Sequence, residues 1–511
     1  MDVPYMVRRA GRQYGDQIAL SGGPREITMA ELVDRGERFA NHLDDVGVPA
    51  GAAVGVLSEN RIEYPAVDLG IALGRRIRVA LNARLSIDDF RLSLSDSQAK
   101  VLVHSGKFSE EAATLAEELS LKTFCLDEQE GSPSSLYETA VAGADATPRV
   151  RPGSDEDPAW ISYTSGTTGR AKGVVLSHRA VREVSLNLML EFGPRAPGEG
   201  IVLAQPLSHG AGYFLLPFLF GGGGVYVMER FDPELTAEIS RNPRFRTLKV
   251  VPAMIPPLLD LSPAHELNFD SIIYGASPIS APVLDAALER FGPVLSQIYG
   301  QSEAPVTLTR LTKEDHLGNG ERRASAGRPW PSVGAEVRDP DGNCVAPGEI
   351  GELTVTGQHL MSEYLNLPEA TAEVMRDGWI WTKDMARLDE QGYVYLLGRK
   401  DEIINTGGFN VSPREVERVV VDLDAVAECV VIGVEDPRWG TAINAVVRLH
   451  PDQQLTQDEL TEAVRSRLTF RTPKRVVFVN EIPGNAYGKT DRQKVRALLD
   501  DQVELESSGA V

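Results

Sequence analysis

The sequence is poor in cysteine, in long apolar runs and in positive charge, and each shortage excludes a class of protein. Its three cysteines stand far apart, at positions 125, 344 and 429, with no CxxC spacing. We therefore expect reduced thiols, and neither a disulfide framework nor a zinc site. The first residues lack an apolar signal core, and no apolar run reaches the length of a membrane span. These patterns predict a cytoplasmic protein.

Lysine and arginine together number 52 against 73 aspartates and glutamates, which gives a net charge of −21. Such an acidic balance argues against a nucleic-acid partner and helps solubility. An anionic ligand must then be met by a local positive site. The length of 511 residues predicts two or three domains.

The stretch 163–173 reads YTSGTTGRAKG and lies between two apolar runs, which predicts a strand, a tight loop and a second strand. Glycines allow backbone N–H groups to turn toward an anion, hydroxyls add donors, and Lys172 supplies a point charge suited to phosphate. The alternative is a polar surface turn, and the Walker pattern GxxxxGK[ST] is absent. We predict a phosphate-binding loop built from Thr164, Ser165, Gly166, Thr167, Thr168, Gly169 and Lys172.

Two further loops combine polar and small residues. His209 is followed by Gly210, Ala211 and Gly212, which fits a place where a ligand passes close to the backbone, although a lone histidine is more often structural. Gly275, Ala276 and Ser277 follow an apolar strand, and α/β sheets bind ligands at the carboxyl ends of their strands. Both loops are therefore candidate ligand sites.

Three arginines, Arg75, Arg76 and Arg78, stand within the short run 74–80 (GRRIRVA). They could line an interface or the edge of a ligand site, or they could belong to a loop at the surface. The sequence leaves these alternatives open.

Six motifs, in order and at ordinary separations, resemble those of the adenylate-forming superfamily, which comprises acyl-CoA synthetases, adenylation domains and luciferases. The resemblance covers about residues 5 to 500. It implies an α/β fold with a large N-terminal multi-subdomain α/β domain and a small, mobile α+β C-terminal lid. The implied ATP- and acid-binding domain is 1–400 and the implied lid is 401–511, with the hinge at Asp401.

The same resemblance assigns roles in the first domain. Gly275, Ala276 and Ser277 resemble the adenine-binding loop, and the run 297–303 (QIYGQSE) supplies Tyr299 for stacking, with Gly300 and Ser302 beside it. Thr164 and Glu303 are implied ligands of the Mg²⁺ that accompanies ATP. Asp384 and Arg399 resemble the ribose-binding pair. Lys383 and Trp381 depart from the pattern, which usually has glycine and a polar residue at these places.

The remaining assignments concern the acid, coenzyme A and the chemical step. The implied acyl tunnel includes His209, Gly210, Gly212, Tyr213 and Gly300, and His209 also counts among the catalytic residues with Glu303. Gly407, Gly408 and Phe409 form the loop expected on the coenzyme A side. Lys489, in the last motif, resembles the catalytic lysine that offsets charge in the transition state.

We therefore predict that the protein activates a small carboxylic acid with Mg·ATP, giving acyl-AMP and pyrophosphate, and then transfers the acyl group to coenzyme A. Its small, apolar tunnel residues suit a fatty or an aryl acid. Transfer to a carrier protein or an amine stays open, as does activation of an unusual acid such as nitrite. A homodimer is possible, and a nucleotide-binding protein that has lost its chemistry is a further alternative.

Overall fold

The computed structural model describes residues 2–127, 135–164, 171–318, 320–436, 438–484 and 490–507. The chain forms two compact units. The larger unit contains Met1–Ala276, Ala287–Ala335 and Val355–Ile380, and the smaller one contains Ser277–Ala286, Glu336–Thr354 and Trp381–Val511. The predicted boundary between 400 and 401 stays a prediction.

Helices and strands alternate along the larger part of the chain. Among the described residues, no helix is both long and apolar enough to cross a membrane. The helices are α1 (Val3–Gln13), α2 (Met29–Asp45), α3 (Tyr64–Leu73), α4 (Ile87–Asp96), α5 (Ser109–Leu119), α6 (Tyr137–Gly143), α7 (His178–Phe192), α8 (Leu215–Phe220), α9 (Pro233–Ser240), α10 (Ile255–Leu259), α11 (Ala281–Phe291), α12 (Lys313–His316), α13 (Gly320–Arg323), α14 (Pro368–Val374), α15 (Pro413–Val421), α16 (Gln457–Leu468) and α17 (Arg492–Ser507).

The strands are β1 (Ile18–Gly22), β2 (Arg25–Thr28), β3 (Ala53–Leu57), β4 (Ile77–Leu81), β5 (Val101–His104), β6 (Lys122–Cys125), β7 (Ser135–Leu136), β8 (Pro158–Thr164), β9 (Lys172–Ser177), β10 (Gly200–Leu203), β11 (Gly224–Val227), β12 (Phe245–Val250), β13 (Ser271–Gly275), β14 (Leu295–Tyr299), β15 (Thr309–Leu311), β16 (Arg328–Pro329), β17 (Gly334–Arg338), β18 (Gly351–Thr356), β19 (Glu363–Tyr364), β20 (Met375–Arg376), β21 (Trp379–Leu388), β22 (Val394–Arg399), β23 (Ile404–Thr406), β24 (Phe409–Val411), β25 (Val426–Asp436), β26 (Gly440–Leu449) and β27 (Arg475–Phe478).

Two large sheets organise the larger unit. One has the strand order β16-β15-β14-β13-β12-β10-β11-β1-β2 and is parallel from β14 to β1, with antiparallel strands at its edges. The other has the order β19-β9-β8-β4-β3-β5-β6-β7 and is parallel from β8 to β7. Strands β8 and β9 pair antiparallel, so Thr164 at the end of β8 lies beside Lys172 at the start of β9.

A layer of helices fills the space between these two sheets. Every residue of α3 and of α8 is buried, which is typical of helices covered on all sides. Helices α2 and α8 contact the nine-stranded sheet, whereas α3 and α7 contact the eight-stranded one. The predicted α/β alternation of the first 150 residues is therefore present, with helices packed on sheets as expected.

The three arginines before and within β4 do not form a surface loop. Arg76 and Arg78 are 0% and 2% exposed, and each forms an ion pair with a helix carboxylate, Asp44 in α2 and Asp68 in α3, respectively. Arg75 is mostly covered and pairs with Asp2. The surface-loop alternative is thus wrong, because these cations are neutralised inside the unit.

The smaller unit has its own apolar core. Strands β25, β26 and β27 form a sheet, and helices α15 and α16 cover it with side chains such as Val416, Val420, Leu460 and Val464. A capping box between Thr456 and Glu459 begins α16, since the side chain of each accepts a backbone N–H of the other. Strands β23 and β24 form a separate hairpin.

Candidate active site

The two ends of the predicted phosphate loop lie side by side. Strand β8 ends at Thr164 and β9 begins at Lys172, and these two residues are direct partners in the antiparallel register. The strand–loop–strand arrangement predicted from the sequence is therefore present at both ends. The intervening candidates Ser165, Gly166, Thr167, Thr168 and Gly169 lie outside the described residues, so their role stays a prediction.

A tyrosine connects the phosphate-loop lysine with the candidate magnesium ligand. The Tyr364 hydroxyl donates a hydrogen bond of 2.6 Å to Oε1 of Glu303. The Lys172 Nζ atom lies 4.9 Å from the centroid of the Tyr364 ring, within the range of a cation–π contact. Three segments that are distant in sequence thus meet at one place in the larger unit. Sequence reasoning identified Lys172 and Glu303 but missed Tyr364, which no local motif marks.

The loop after β14 that carries Ser302 and Glu303 is tightly constrained. Val306 has a φ of 44°, which is uncommon for a β-branched residue. A Cβ atom on Gly300 would clash with the Val306 backbone, so the glycine permits a close approach of two backbone segments. Strained residues of this kind concentrate at functional sites. The place of Gly300 in the acyl tunnel, and those of Tyr299 and Ser302 beside the nucleotide, stay predictions.

The predicted adenine loop shows similar strain at the end of β13. Ala276 has a φ of 75°, in the left-handed region that costs an L-residue free energy. Gly275 lies so close to the Ile298 carbonyl that a side chain would collide with it. Ser277 follows with an exposed side chain and belongs to the smaller unit. This backbone conformation is consistent with a loop shaped for a ligand.

The histidine loop of the larger unit contains one glycine that borders open space, Gly210, and one that is packed against backbone, Gly212. His209 Nδ1 lies 2.8 Å from the Ser208 hydroxyl. A Cβ on Gly210 would meet nothing within 4 Å, as expected of a residue beside open space, whereas one on Gly212 would collide with the Leu207 carbonyl. Gly212 therefore serves backbone packing.

Aromatic residues and a buried cation lie next to this loop. The rings of Tyr213 and Trp160 stand 5.0 Å apart, and the Arg78 guanidinium lies 4.8 Å from the Trp160 ring centroid. Burial raises the pKa of Tyr213; a hydrogen bond with Ser162 and the charge of Arg78 oppose this, while the charge of Glu303 adds to it.

Two buried polar side chains hold the chain leading into the histidine loop: Asn60, which the sequence did not single out, and Arg78, which it left as a possible residue of a ligand edge. Asn60 donates to the Gln205 carbonyl at 2.8 Å and accepts from the Leu207 N–H at 2.8 Å. Arg78 donates to the Leu207 carbonyl at 2.8 Å and pairs with Asp68 at 2.8 Å. These bonds satisfy backbone groups that would otherwise be buried without partners.

A second buried cation lies near the end of the same loop. Lys249 in β12 is 2% exposed and donates a hydrogen bond of 2.7 Å to the Val250 carbonyl. Its Nζ atom lies 5.9 Å from the ring centroid of Phe214. Burial lowers the pKa of Lys249 to about 7. Among the described residues, no carboxylate pairs with it within salt-bridge distance, which distinguishes it from Arg78.

The smaller unit holds the predicted ribose pair. Asp384 and Arg399 are register partners in β21 and β22, and Arg399 Nε lies 3.0 Å from Asp384 Oδ1. Asp384 is buried, whereas the Arg399 side chain is 43% exposed. Lys383 has a φ of 60°, the left-handed conformation that favours glycine, and its N–H donates to Glu352 at 3.0 Å. The lysine thus keeps a glycine-like backbone.

The predicted coenzyme A loop is the turn of the β23–β24 hairpin. Gly407 and Gly408 have φ values of 58° and 82°, as a two-residue type I′ turn requires. Phe409 is exposed, and its ring centroid lies 4.7 Å from that of Phe470, which is exposed as well, with the two rings tilted by 44°. An exposed aromatic pair beside a tight turn is available to a ligand, although its role stays a prediction.

Two further predicted residues, Asp401 and Lys489, belong to the smaller unit. Asp401 lies in a short 3₁₀ turn, Lys400–Glu402, and is exposed. Lys489 lies outside the described residues. The hinge role of the first and the catalytic role of the second stay predictions.

The donor atoms at the phosphate side fit magnesium. Glu303 offers a carboxylate and Thr164 a hydroxyl, and Mg²⁺ prefers oxygen ligands from one or two protein groups together with substrate phosphates. In the described ranges, no group of three or more histidine, cysteine, aspartate or glutamate side chains could hold a metal by itself. The chemistry of the donors therefore matches an ion that arrives with a phosphate ligand.

Comparison with known proteins defines the class. The family model described as AMP-binding enzyme matches residues 7–365, and that of the AMP-binding enzyme C-terminal domain matches residues 415–489. The chain belongs to this family of adenylate-forming enzymes. The predicted fold class is confirmed, with a large N-terminal and a small C-terminal domain.

Individual relatives match nearly the full length of the chain. The medium/long-chain fatty-acid–CoA ligase FadD8 of Mycobacterium tuberculosis is 35% identical over 508 residues, which cover 95% of this chain and 88% of that protein. A feruloyl-CoA synthase of Amycolatopsis is 33% identical and covers 96% and 97% of the two chains. The structure of the amide bond synthetase McbA from Marinactinospora thermotolerans matches with a TM-score of 0.89 and 29% identity, over 97% of this chain and 99% of that one. The predictions of an enzyme and of a ligase are confirmed.

Proposed function

We propose that this protein converts a carboxylic acid and Mg·ATP into acyl-AMP and pyrophosphate, and then transfers the acyl group to coenzyme A to form a thioester. The observation that carries the proposal is the convergence of Lys172, Tyr364 and Glu303 at the end of the eight-stranded sheet. A cation for phosphate and a carboxylate for the accompanying metal ion are what an ATP-dependent reaction requires there.

The chain's own groups have distinct roles in this proposal. Lys172 and the loop before it bind the phosphates, and Asp384 accepts hydrogen bonds from the ribose hydroxyls while Arg399 holds its carboxylate. Glu303 and Thr164 would hold Mg²⁺, which neutralises phosphate charge when bound. Lys489 offsets the negative charge that develops as the carboxylate attacks the α-phosphate.

The acid is proposed to be a fatty or an aryl acid. Gly210 borders open space, and the aromatic side chains of Trp160 and Tyr213 lie beside the histidine loop. Apolar and aromatic walls suit an apolar acid. The relatives named for fatty acids and for ferulate act on members of these two classes.

An acid screen tests the proposal. The purified full chain is mixed with ATP, Mg²⁺ and a library of fatty, aryl, amino and dicarboxylic acids, and pyrophosphate release is recorded with mass spectrometry of the products. We expect release that depends on an apolar acid, and a thioester when coenzyme A is added. If no acid in the library elicits pyrophosphate release from a folded, ATP-binding protein, the proposal is wrong.

The Lys489→Ala variant tests the adenylation step, in which the carboxylate attacks the α-phosphate. Loss of one charge contact in the transition state costs about 10²–10³ in rate, so adenylate formation should nearly vanish while ATP binding persists. Transfer of the acyl group from pre-made acyl-AMP to coenzyme A should survive. Normal acyl-AMP formation by this variant would show that another group offsets the charge.

A second candidate is amide formation, favoured by the structural similarity to an amide bond synthetase. It shares the first half-reaction and differs in the acceptor. A parallel assay of the accepted acid with coenzyme A, with a panel of amines and with a carrier protein separates these acceptors. An amide formed faster than the thioester would replace the proposed second step.

A further inference from the structure

Tyr364 stands out among the residues that the proposed function leaves without a role. It belongs to the two-residue strand β19 at the edge of the eight-stranded sheet and pairs with Val174 in β9. It is 5% exposed, yet both its hydroxyl and its ring face charged groups. A buried tyrosine in contact with a cation and a carboxylate is more than a packing residue.

The two contacts of Tyr364 are chemically separate. Its hydroxyl donates to Oε1 of Glu303 at 2.6 Å, a distance typical of a bond to an ionised acceptor. Its ring faces the ammonium of Lys172 at 4.9 Å. One bond therefore involves the candidate metal ligand, and the other involves the candidate phosphate ligand.

The backbone around Tyr364 fixes these contacts in place. Met361 N–H donates to the Glu303 carbonyl at 2.8 Å, and Leu365 N–H donates to the Gly173 carbonyl at 2.7 Å. The Tyr364 N–H donates to the Thr371 hydroxyl at 2.9 Å. The segment is thus tied to the glutamate loop on one side and to the start of β9 on the other. This connection gives Tyr364 a defined position relative to both groups.

We propose that Tyr364 is a positioning residue of the ATP site, which orients the Glu303 carboxylate through its hydroxyl and the Lys172 ammonium through its ring. The inference rests on the proposed function, in which Glu303 holds Mg²⁺ and Lys172 binds phosphate. The hydroxyl occupies one carboxylate oxygen and so fixes the direction of the other. Partners of this kind orient metal ligands and raise metal affinity.

Two substitutions separate the two contacts. Tyr364→Phe removes the hydroxyl and keeps the ring, whereas Tyr364→Leu removes both. Binding of ATP to the full chain is measured by calorimetry over a series of Mg²⁺ concentrations. For Tyr364→Phe we expect the Mg²⁺ concentration at half-maximal binding to rise about tenfold or more, with ATP affinity at saturating Mg²⁺ unchanged. For Tyr364→Leu we expect a further loss of ATP affinity of about threefold.

The chain offers a matched control in Tyr395. Its hydroxyl donates to Asp389 at 3.1 Å, and the Arg387 guanidinium lies 3.9 Å from its ring centroid, so it makes the same two kinds of contact in strand β22. Tyr395→Phe should leave the Mg²⁺ dependence of ATP binding unchanged. Thermal unfolding of each variant establishes that it is folded, and Tyr364→Phe provides the test even if the leucine variant does not fold.

Glu303→Gln separates failure of this inference from failure of the proposed function. If the glutamine variant shifts the Mg²⁺ dependence and Tyr364→Phe, while folded, matches the parent, the positioning role is wrong and the metal assignment stands. If neither variant shifts it, Glu303 is not a metal ligand, and the inference fails together with that part of the proposed function. A shift in both, with none in Tyr395→Phe, supports the inference.

Discussion

The charges beneath the histidine loop of the larger unit and the charged pair of the smaller unit differ in how far their cations are exposed to water. Arg78 and Lys249 are both 2% exposed, and Asp68 is buried with Arg78. Arg399, by contrast, is 43% exposed while it pairs with Asp384. The first set is removed from water, whereas in the second pair Asp384 is buried and the Arg399 side chain is in contact with water.

This difference determines what each charge can contribute. A buried ion is desolvated, so its partner or lack of one has a large effect on the free energy of unfolding. A pair with one buried and one exposed partner, such as Asp384 with Arg399, is partly screened by water, so it contributes less to stability than a fully buried pair. We therefore expect substitutions beneath the histidine loop to act mainly on stability, and substitutions at the ribose pair to act mainly on ATP binding.

The largest effect is expected for Arg78→Met. It removes the partner of a buried carboxylate and the donor to the Leu207 carbonyl. Breaking a buried ion pair on one side costs about 3–5 kcal/mol of unfolding free energy. Chemical denaturation monitored by circular dichroism measures this loss.

A double substitution provides the control. Burial already raises the pKa of Asp68 against the opposing charge of Arg78. Replacing both residues, as Arg78→Met with Asp68→Leu, should therefore recover much of the lost stability, since an apolar pair needs no charge compensation. If the double variant is as unstable as the single one, the bond to Leu207 and not the ion pair provides the stability.

Lys249→Met should raise the unfolding free energy, whereas Arg78→Met lowers it. Because burial lowers the pKa of Lys249 to about 7, the unfolded chain binds a proton between pH 7 and pH 10.5 that the folded chain has released. The parent's stability therefore rises with pH through this window, and it is lowest below pH 7. The variant should be more stable by up to about 4 kcal/mol at pH 6, with a smaller gain at pH 9.

Denaturation curves of parent and variant at the two pH values test this. The difference between the two proteins is the quantity of interest, because other groups titrate in both. Arg246→Met, in the same strand but partly exposed, serves as the control and should show little dependence on pH. An equal gain at pH 6 and pH 9 would show that packing, and not the buried charge, limits the stability of the parent.

Separation along the chain explains which site residues the sequence could predict. The pair Asp384 and Arg399 falls within motifs on two consecutive strands, so the resemblance of these short motifs to the family pattern was enough to name both. Tyr364 and Glu303 are 61 residues apart, and Asn60 and Leu207 are 147 apart. Such contacts depend on how distant segments pack, which no local spacing encodes.

The fold class was accessible for a related reason. Apolar runs and glycine-rich turns indicate the alternation of strands and helices. Six ordered motifs add a specific resemblance to the adenylate-forming superfamily. The arginines at 75–78 were harder to interpret, because their burial depends on Asp2, Asp44 and Asp68 in other elements. Gly212 and Gly300 show the same limit, since a glycine that widens a site and one that permits backbone contact look identical in sequence.

Asp384→Asn tests the ribose side. An amide preserves the shape of the side chain but removes the negative charge of the carboxylate that accepts hydrogen bonds from the ribose hydroxyls. Hydrogen bonds to a charged group contribute about 1.5–3 kcal/mol. The KM for ATP should rise at least about tenfold, while the unfolding free energy should fall by less than in Arg78→Met, because the partner Arg399 is partly exposed. Steady-state kinetics and denaturation measure the two quantities.

The exposed Glu390, in the turn between the two strands, supplies the matched control as Glu390→Gln. It should change neither KM nor stability. A large loss of stability in Asp384→Asn with an unchanged KM would reverse the comparison, because the pair would then be structural.

The smallest effect is expected for Lys383→Gly. The left-handed conformation costs a non-glycine residue about 1–2 kcal/mol, whereas glycine loses about 0.5–1 kcal/mol more through backbone entropy, so the net gain should be below about 1 kcal/mol. The glycine variant keeps the hydrogen bond from the backbone N–H of residue 383 to the Glu352 carboxylate. Asp377, with a φ of 50°, provides a comparison as Asp377→Gly, and its gain should be smaller because aspartate tolerates this conformation better. Chemical denaturation resolves the order of the two variants. If Lys383→Gly is destabilising, the lysine side chain contributes more to stability than its left-handed backbone costs. Lysine at this position would then stabilise the protein, and would not merely be tolerated in place of glycine.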